Sequence, residues 1–157
     1  MKIRLLYVGK TDEKPLLDLI QKYEKRIKNF ISFDLIQIND LKNTKNLPVE
    51  QQKEKEGDLI LQKLSPSDFV VLLDEKGQEY TSKKFAGFLQ KKMNGGIKNL
   101  VFVIGGPYGF SSKVYQRANS QLALSQMTFS HQLIRLIFVE QLYRALSILH
   151  NHPYHHA

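Results

Sequence analysis

Two uninterrupted apolar runs, Phe69–Leu73 and Leu100–Ile104, constrain this chain more than any other feature. A run of that length without polar alternation describes a strand covered on both faces, and such strands belong to parallel sheets flanked by helices. The segments around them agree. Ile3–Val8 alternates as a strand, and Asp12–Asn29 carries Leu16, Leu19, Ile20, Tyr23 and Ile27 at helical spacing, with Pro15 in its first turn. Phe33–Ile38 reads as a second strand, Asn39–Pro48 as a loop and Val49–Leu64 as a charged helix. Thr81–Met93 is the next helix, with Ser82 as its cap and Asn94-Gly95-Gly96 as its stop. A short helix over Lys113–Asn119, a fifth strand over Leu122–Phe129 and a long helix over His131–Leu149 complete the pattern. Strands alternating with helices predict an α/β fold with a mainly parallel sheet, and 157 residues suit one domain spanning 1–157.

The last helix raises a packing question. Leu133, Leu136, Ile137, Val139, Leu142, Tyr143, Leu146 and Leu149 cover more than one stripe of it, and a chain this short seldom buries a helix on every side. Either it is central in the protomer or it packs against a second subunit, and the second is the favoured expectation.

Composition then narrows the chemistry. The chain has no cysteine, which removes disulfides, thiolate nucleophiles and cysteine metal sites. No apolar run approaches the roughly 20 residues that cross a bilayer, and no signal-peptide core follows the N-terminus, so a soluble, cytoplasmic protein is expected. The formal charge is +8, and it is unevenly placed. Residues 1–79 hold 14 Lys and Arg against 14 Asp and Glu, whereas residues 80–157 hold 9 against Glu140 alone. A basic half of that kind suits a polyanion, because cations that neutralise phosphates release condensed counterions. A solvated basic face is the plainer reading of the same charges.

In open α/β sheets ligands bind beyond the carboxyl ends of strands, and two such ends stand out. Leu100–Ile104 runs into Gly105-Gly106-Pro107-Tyr108-Gly109, where glycines let backbone approach a ligand. The spacing matches neither the dinucleotide fingerprint nor the phosphate loop of nucleotide triphosphatases. The segment from Leu124 to Phe129 mixes small polar and apolar groups and suits an adenine or ribose between backbone donors and apolar side chains. Each segment also reads as an ordinary turn or strand end. A flavodoxin-like nucleotide-binding domain and a non-catalytic RNA-binding protein remain open alternatives on these features.

Taken as an ordered set, the motifs are more specific. Ile104-Gly105-Gly106-Pro107-x-Gly109, Leu124-Ser-x-Met-Thr-Phe129-x-His131, Arg135, Glu140-Gln-Leu-Tyr-Arg144-Ala145 and Asn151-His-Pro-Tyr-His155 closely resemble the RlmH group of SPOUT methyltransferases. The resemblance spans the chain, from Lys2-Ile3-x-Leu5-x-x-Val8-Gly9-Lys10 through Lys55-Glu56-Gly57 to the terminal histidines. It implies an α/β fold with a C-terminal trefoil knot, bound S-adenosylmethionine, no metal, and a homodimer with active sites at the subunit interface. The implied reaction is methylation of N3 of a pseudouridine in large-subunit ribosomal RNA; with no room in 157 residues for a separate RNA-binding domain, assembled ribosomes are the expected substrate over free RNA.

The cofactor residues implied by the resemblance are Leu73, Gly105, Leu124, Ser125, Gln126, Met127, Thr128 and Phe129, on the two strand ends already singled out. Its catalytic residues are Tyr154, His155 and Arg144. Tyr154 offers a face for stacking on an unpaired base, and His155 can orient the base or accept its proton. Arg144 has Glu140 as a natural partner at four-residue spacing. Arg135, nine residues earlier on the same helix, cannot point the same way as Arg144 and is expected to contact RNA or support the dimer. His131 is expected to hold the turn into that helix or to meet substrate. His156 stands where the family carries Arg or Lys.

Overall fold

The two apolar runs are adjacent central strands of one parallel sheet. The computed structural model describes residues 1–156. In chain order the elements are β1 (Lys2–Val8), α1 (Lys14–Lys28), β2 (Ser32–Ile38), α2 (Val49–Gln62), β3 (Phe69–Glu79), α3 (Ser82–Asn94), β4 (Asn99–Ile104), α4 (Ser112–Arg117), β5 (Ser120–Ala123) and α5 (Leu133–Leu149). The strand order is β2-β1-β4-β3-β5, and every pairing is parallel.

Side chains alternate across β4 and divide the core into two layers. Leu100, Phe102 and Ile104 pack with Ile20 and Ile27 of α1, Phe85 and Leu89 of α3 and Phe138 and Leu142 of α5. Val101 and Val103 face the other way, onto Ile60 of α2 and Val114 of α4. The sheet is therefore covered on both faces, as the apolar runs require. No helix among the described residues is long and apolar enough to cross a membrane.

Five details differ from the sequence expectations, each for a physical reason. Strand β3 continues past Asp74 and Glu75 to Glu79: Leu73 and Gln78 both stand opposite Leu122, so residues 74–77 bulge out of the ladder. Gly77 makes the return possible, since a Cβ there would lie 2.7 Å from the backbone of Gln121 and Leu122. Strand β5 stops at Ala123 instead of reaching Phe129, because the Ser125 hydroxyl accepts the Met127 N–H at 3.0 Å in a local turn that competes with ladder pairing. Helix α4 ends at Arg117, as Asn119 is used as a strand partner, its N–H donating to Val70 O and its Oδ1 accepting from Val70 N, both at 2.8 Å. The cap of α3 is Thr81, whose hydroxyl accepts the Lys84 N–H, while Ser82 donates across to Gln141 of α5 at 2.7 Å. Finally, α5 begins at Leu133; the Ser130 hydroxyl accepts the Leu133 N–H at 3.1 Å, leaving His131 in the preceding turn.

Helix α5 lies between α1 and α3, and the protomer itself buries Arg135, Phe138, Val139, Leu142, Tyr143, Ala145, Leu146 and Ser147. Of the two alternatives, a central position within the protomer therefore holds for most of the helix. The residues of α5 left partly outward include Leu133, which is exposed, and Ile137, Glu140 and Arg144, which are half-buried and continue from it at helical spacing. The helix closes on Asn151 at φ 55°, with the Asn151 N–H reaching Ile148 O and the His152 N–H reaching Ser147 O, and Pro153 prevents continuation. The terminal residues thus fold back on the helix: His150 stacks on Phe30 at 4.6 Å and Tyr154 packs edge-on against Tyr143 at 4.7 Å.

Candidate active site

At the carboxyl ends of β3, β4 and β5 the chain leaves a cavity of about 650 Å³. Three pieces build it: the β3 bulge, the glycine turn after β4 and the irregular segment between β5 and α5. Of the cofactor residues expected from sequence, Leu73, Gly105, Leu124, Ser125, Met127, Thr128 and Phe129 line this cavity, and Gln126 does not. His131 also reaches its wall.

The glycine turn works by close approach. A Cβ on Gly106 would stand 2.6 Å from Glu56 Oε1, and one on Gly105 would stand 3.0 Å from the Phe110 ring. Gly109, at φ 82°, closes the turn with its N–H on Gly106 O. Helix α2 backs this turn: Gly57 lies so near Ser111 that a Cβ would fall 2.4 Å from the hydroxyl. Glu56 is buried, accepts from Gln52 at 3.3 Å, and its carboxyl is pushed up from the usual range first by burial and then by the charge of Asp40. The Lys55-Glu56-Gly57 motif has a structural place here that sequence alone did not supply.

Sequence reasoning also missed the wall opposite. The β3 bulge brings Asp74 and Glu75 to the cavity. Tyr115 donates to Asp74, and Thr128 donates to Glu75 at 2.7 Å. Burial and Asp74 together raise the Tyr115 hydroxyl well above its ordinary range, so it stays a neutral donor. The adjacent acids in the sequence at 74–75 were the available signal, but only the bulge turns both toward one space. A cavity of this size, with backbone exposed on two loops, an apolar floor of Leu73, Ile104 and Leu122, and two carboxylates on its rim, suits a nucleoside-sized ligand carrying positive charge.

Tyr154, His155 and Arg144 form a second cluster, apart from that cavity. The Arg144 Nε donates to Glu140 Oε1 at 3.1 Å, and its guanidinium lies 4.8 Å from the centre of the Tyr154 ring. Tyr154 donates to the same Glu140 oxygen at 3.1 Å and so accepts from Tyr23, 3.2 Å away. Burial and these two neighbours keep the Tyr154 phenol protonated far above neutral pH. His155 Nδ1 stands 3.3 Å from Arg144 Nη1. Arginine can only donate, so Nδ1 accepts and the neutral ring carries its proton on Nε2. None of the three lines the cavity within one protomer.

Arg135 has a different place from either one expected. It is 1% exposed, donates to Val8 O at 2.7 Å and Thr11 Oγ1 at 2.9 Å, and lies over the Tyr7 ring at 4.4 Å. It fastens the start of α5 to the end of β1, and Gln132 and Asp12 add a reciprocal pair of 2.8 Å bonds beside it. Arg135 is structural to this clasp and presents nothing to an external partner.

Comparison with known proteins bears on both clusters. A family model described as predicted SPOUT methyltransferase matches residues 1–155. Proteins named ribosomal RNA large subunit methyltransferase H are similar along the whole length. That of Phocaeicola vulgatus is 60% identical over 156 residues, covering 99% of each chain. Those of Flavobacterium psychrophilum and Christiangramia forsetii are 59% and 58% identical over the same span and coverage.

Proposed function

Because the chain belongs to the SPOUT methyltransferase family, we propose that it methylates large-subunit ribosomal RNA at N3 of a pseudouridine, using S-adenosylmethionine, as a homodimer acting on assembled ribosomes in the cytoplasm. The observation that carries this reading is the gathering of seven expected cofactor residues around one cavity, beside two carboxylates. The relatives' names support the substrate class.

When bound, S-adenosylmethionine supplies an electrophilic methyl group on a sulfonium. Gly105, Leu124, Ser125, Met127, Thr128 and Phe129 would hold its adenosine, with Leu73 and Leu122 as apolar lining. Asp74 and Glu75 set a negative potential that favours a cationic donor. Catalysis of this kind rests mainly on alignment in a water-poor site, worth roughly 7–11 kcal/mol of barrier.

Tyr154, His155 and Arg144 act on the base. Tyr154, its phenol held protonated by burial, Tyr23 and Glu140, serves as a stacking face and donor. With Nδ1 engaged by Arg144, His155 presents an Nε2–H donor, which orients a base carbonyl. Since this cluster lies apart from the cavity of its own protomer, the reading places it against the cavity of a partner, with the outward stripe of α5 as the contact. The trefoil knot implied by the resemblance belongs to the same reading, as does a single domain over 1–157.

The deciding experiment supplies purified protein with radiolabelled cofactor and with ribosomes carrying or lacking the target pseudouridine. Label is expected only in large-subunit RNA of the former. Intact cofactor binding without any transfer would remove the assignment.

A further inference from the structure

Helix α3 breaks two local stability rules on one exposed face. It carries Lys83, Lys84, Lys91 and Lys92 and no acid, and no Asp or Glu occurs anywhere from Tyr80 to Val139. Lys83 and Lys84 sit in its first turn, at the positive end of the helix dipole, where cations are unfavourable. Gly87 occupies the middle of the helix, where glycine is a poor former.

Packing explains neither feature. Gly87 is exposed, has no left-handed φ, and has nothing within 4 Å of where a Cβ would stand. Gly57 in α2 is the contrast, since there Ser111 fills the space. Lys83, Lys84 and Lys91 are exposed, and among the described residues no carboxylate pairs with any of them. Lys92 differs: its ammonium lies 3.9 Å from the Phe69 ring centre and covers that side chain.

Lys83, Gly87 and Lys91 follow at four-residue steps along one row, and Lys84 flanks the row on the same face. The result is a bare stretch of helix backbone about one turn long, between ammonium groups on either side. Local rules broken without a compensating contact mark a face shaped for something else.

We propose that this face of α3 is a docking surface for an RNA backbone, with the phosphates held by Lys83, Lys84 and Lys91 and the sugar-phosphate chain seated against Gly87. The inference rests on the ribosomal RNA reading and adds to it a contact remote from the cavity residues. Helix α3 follows β3 by two residues, so the track begins near the strand whose bulge rims the cavity.

The test uses the full chain, a transcribed fragment of large-subunit ribosomal RNA and intact large subunits, with binding measured across a salt series. One variant combines Lys83→Gln, Lys84→Gln and Lys91→Gln, and a second is Gly87→Leu. The triple variant is expected to bind RNA at least tenfold more weakly and to lower the slope of log affinity against log salt by about 2. Gly87→Leu is expected to raise the melting temperature while weakening RNA binding, a pairing of signs that misfolding cannot produce. Wild-type affinity and slope in both variants overturn the proposal. Loss of binding to intact subunits with none to free RNA overturns it too, and assigns the face to a protein.

Methyl transfer is measured in parallel on wild-type protein. Transfer with unaffected variants sinks the docking surface alone. Lysine-dependent RNA binding without transfer sinks the enzymatic reading alone.

Discussion

The Thr128 hydroxyl donates a 2.7 Å hydrogen bond to Glu75, joining the loop after β5 to the bulge of β3 across the mouth of the cavity. Two walls that are 53 residues apart in sequence are thereby held in one geometry. Thr128→Val preserves shape and removes the donor. It is expected to weaken S-adenosylmethionine binding about 2- to 10-fold, the range of one net hydrogen bond, and to leave the melting temperature nearly unchanged. Calorimetric titration of the two proteins measures this, and equal affinities would show that the loops hold their positions without the bond.

The proposed function gives the terminal cluster a part in the chemistry and none in cofactor binding. Tyr154→Ala, or truncation after Asn151, is expected to keep S-adenosylmethionine affinity within about twofold while lowering turnover by about 100-fold or more. Calorimetry paired with a methyl-transfer assay reads both quantities. Lost cofactor affinity would put the tail in the cofactor cavity instead of on the base.

Gly77 is the position where the β3 bulge rejoins β5, and its missing Cβ is filled by rigid backbone of Gln121 and Leu122. Gly77→Ala is expected to destabilise the protein by about 1–3 kcal/mol, in line with overpacking at a site that cannot yield. Urea denaturation tests this. A variant as stable as wild type would mean that the strand pair shifts freely there.

Glu56 gives a pH signature. Burial raises its carboxyl above the usual 4.5, so in the window just above pH 4.5 the native state holds a proton that the unfolded state has released. Stability from this group is present below that window and is lost as pH rises through the native value. Glu56→Gln keeps the shape and the Gln52 contact while relieving the repulsion from Asp40. The variant is expected to be more stable than wild type at neutral pH, with the gap closing below pH 4.5. Thermal melts across pH read the gap, and a variant less stable at neutral pH would show that the ionised carboxylate is held by a favourable partner.

The residues expected to hold a cofactor were named through motif resemblance, and the strand ends that carry them were also legible from period and glycine placement. Gln126 is the exception. It belongs to the matched run yet is exposed and does not line the cavity; it sits between Ser125 and Met127, which are joined by a local hydrogen bond. Asp74 and Glu75 directly follow the apolar run Phe69–Leu73, and nothing local tells a bulge there from a strand terminus. Arg135 was expected to contact RNA or support the dimer, and the Val8 carbonyl that it bonds instead lies 127 residues away.

By itself the sequence determined the layered α/β architecture, the parallel sheet, the basic second half and the end of α5 at Leu149. Each follows from periodicity, apolar runs or charge, all carried by neighbouring residues. Only the tertiary structure decided that β3 runs on past its bulge, that α5 is largely buried within one protomer, and that Tyr154, His155 and Arg144 gather around Glu140 away from the cavity. Those outcomes depend on which distant backbone supplies a hydrogen bond and which distant side chain fills a space, and a linear pattern holds neither.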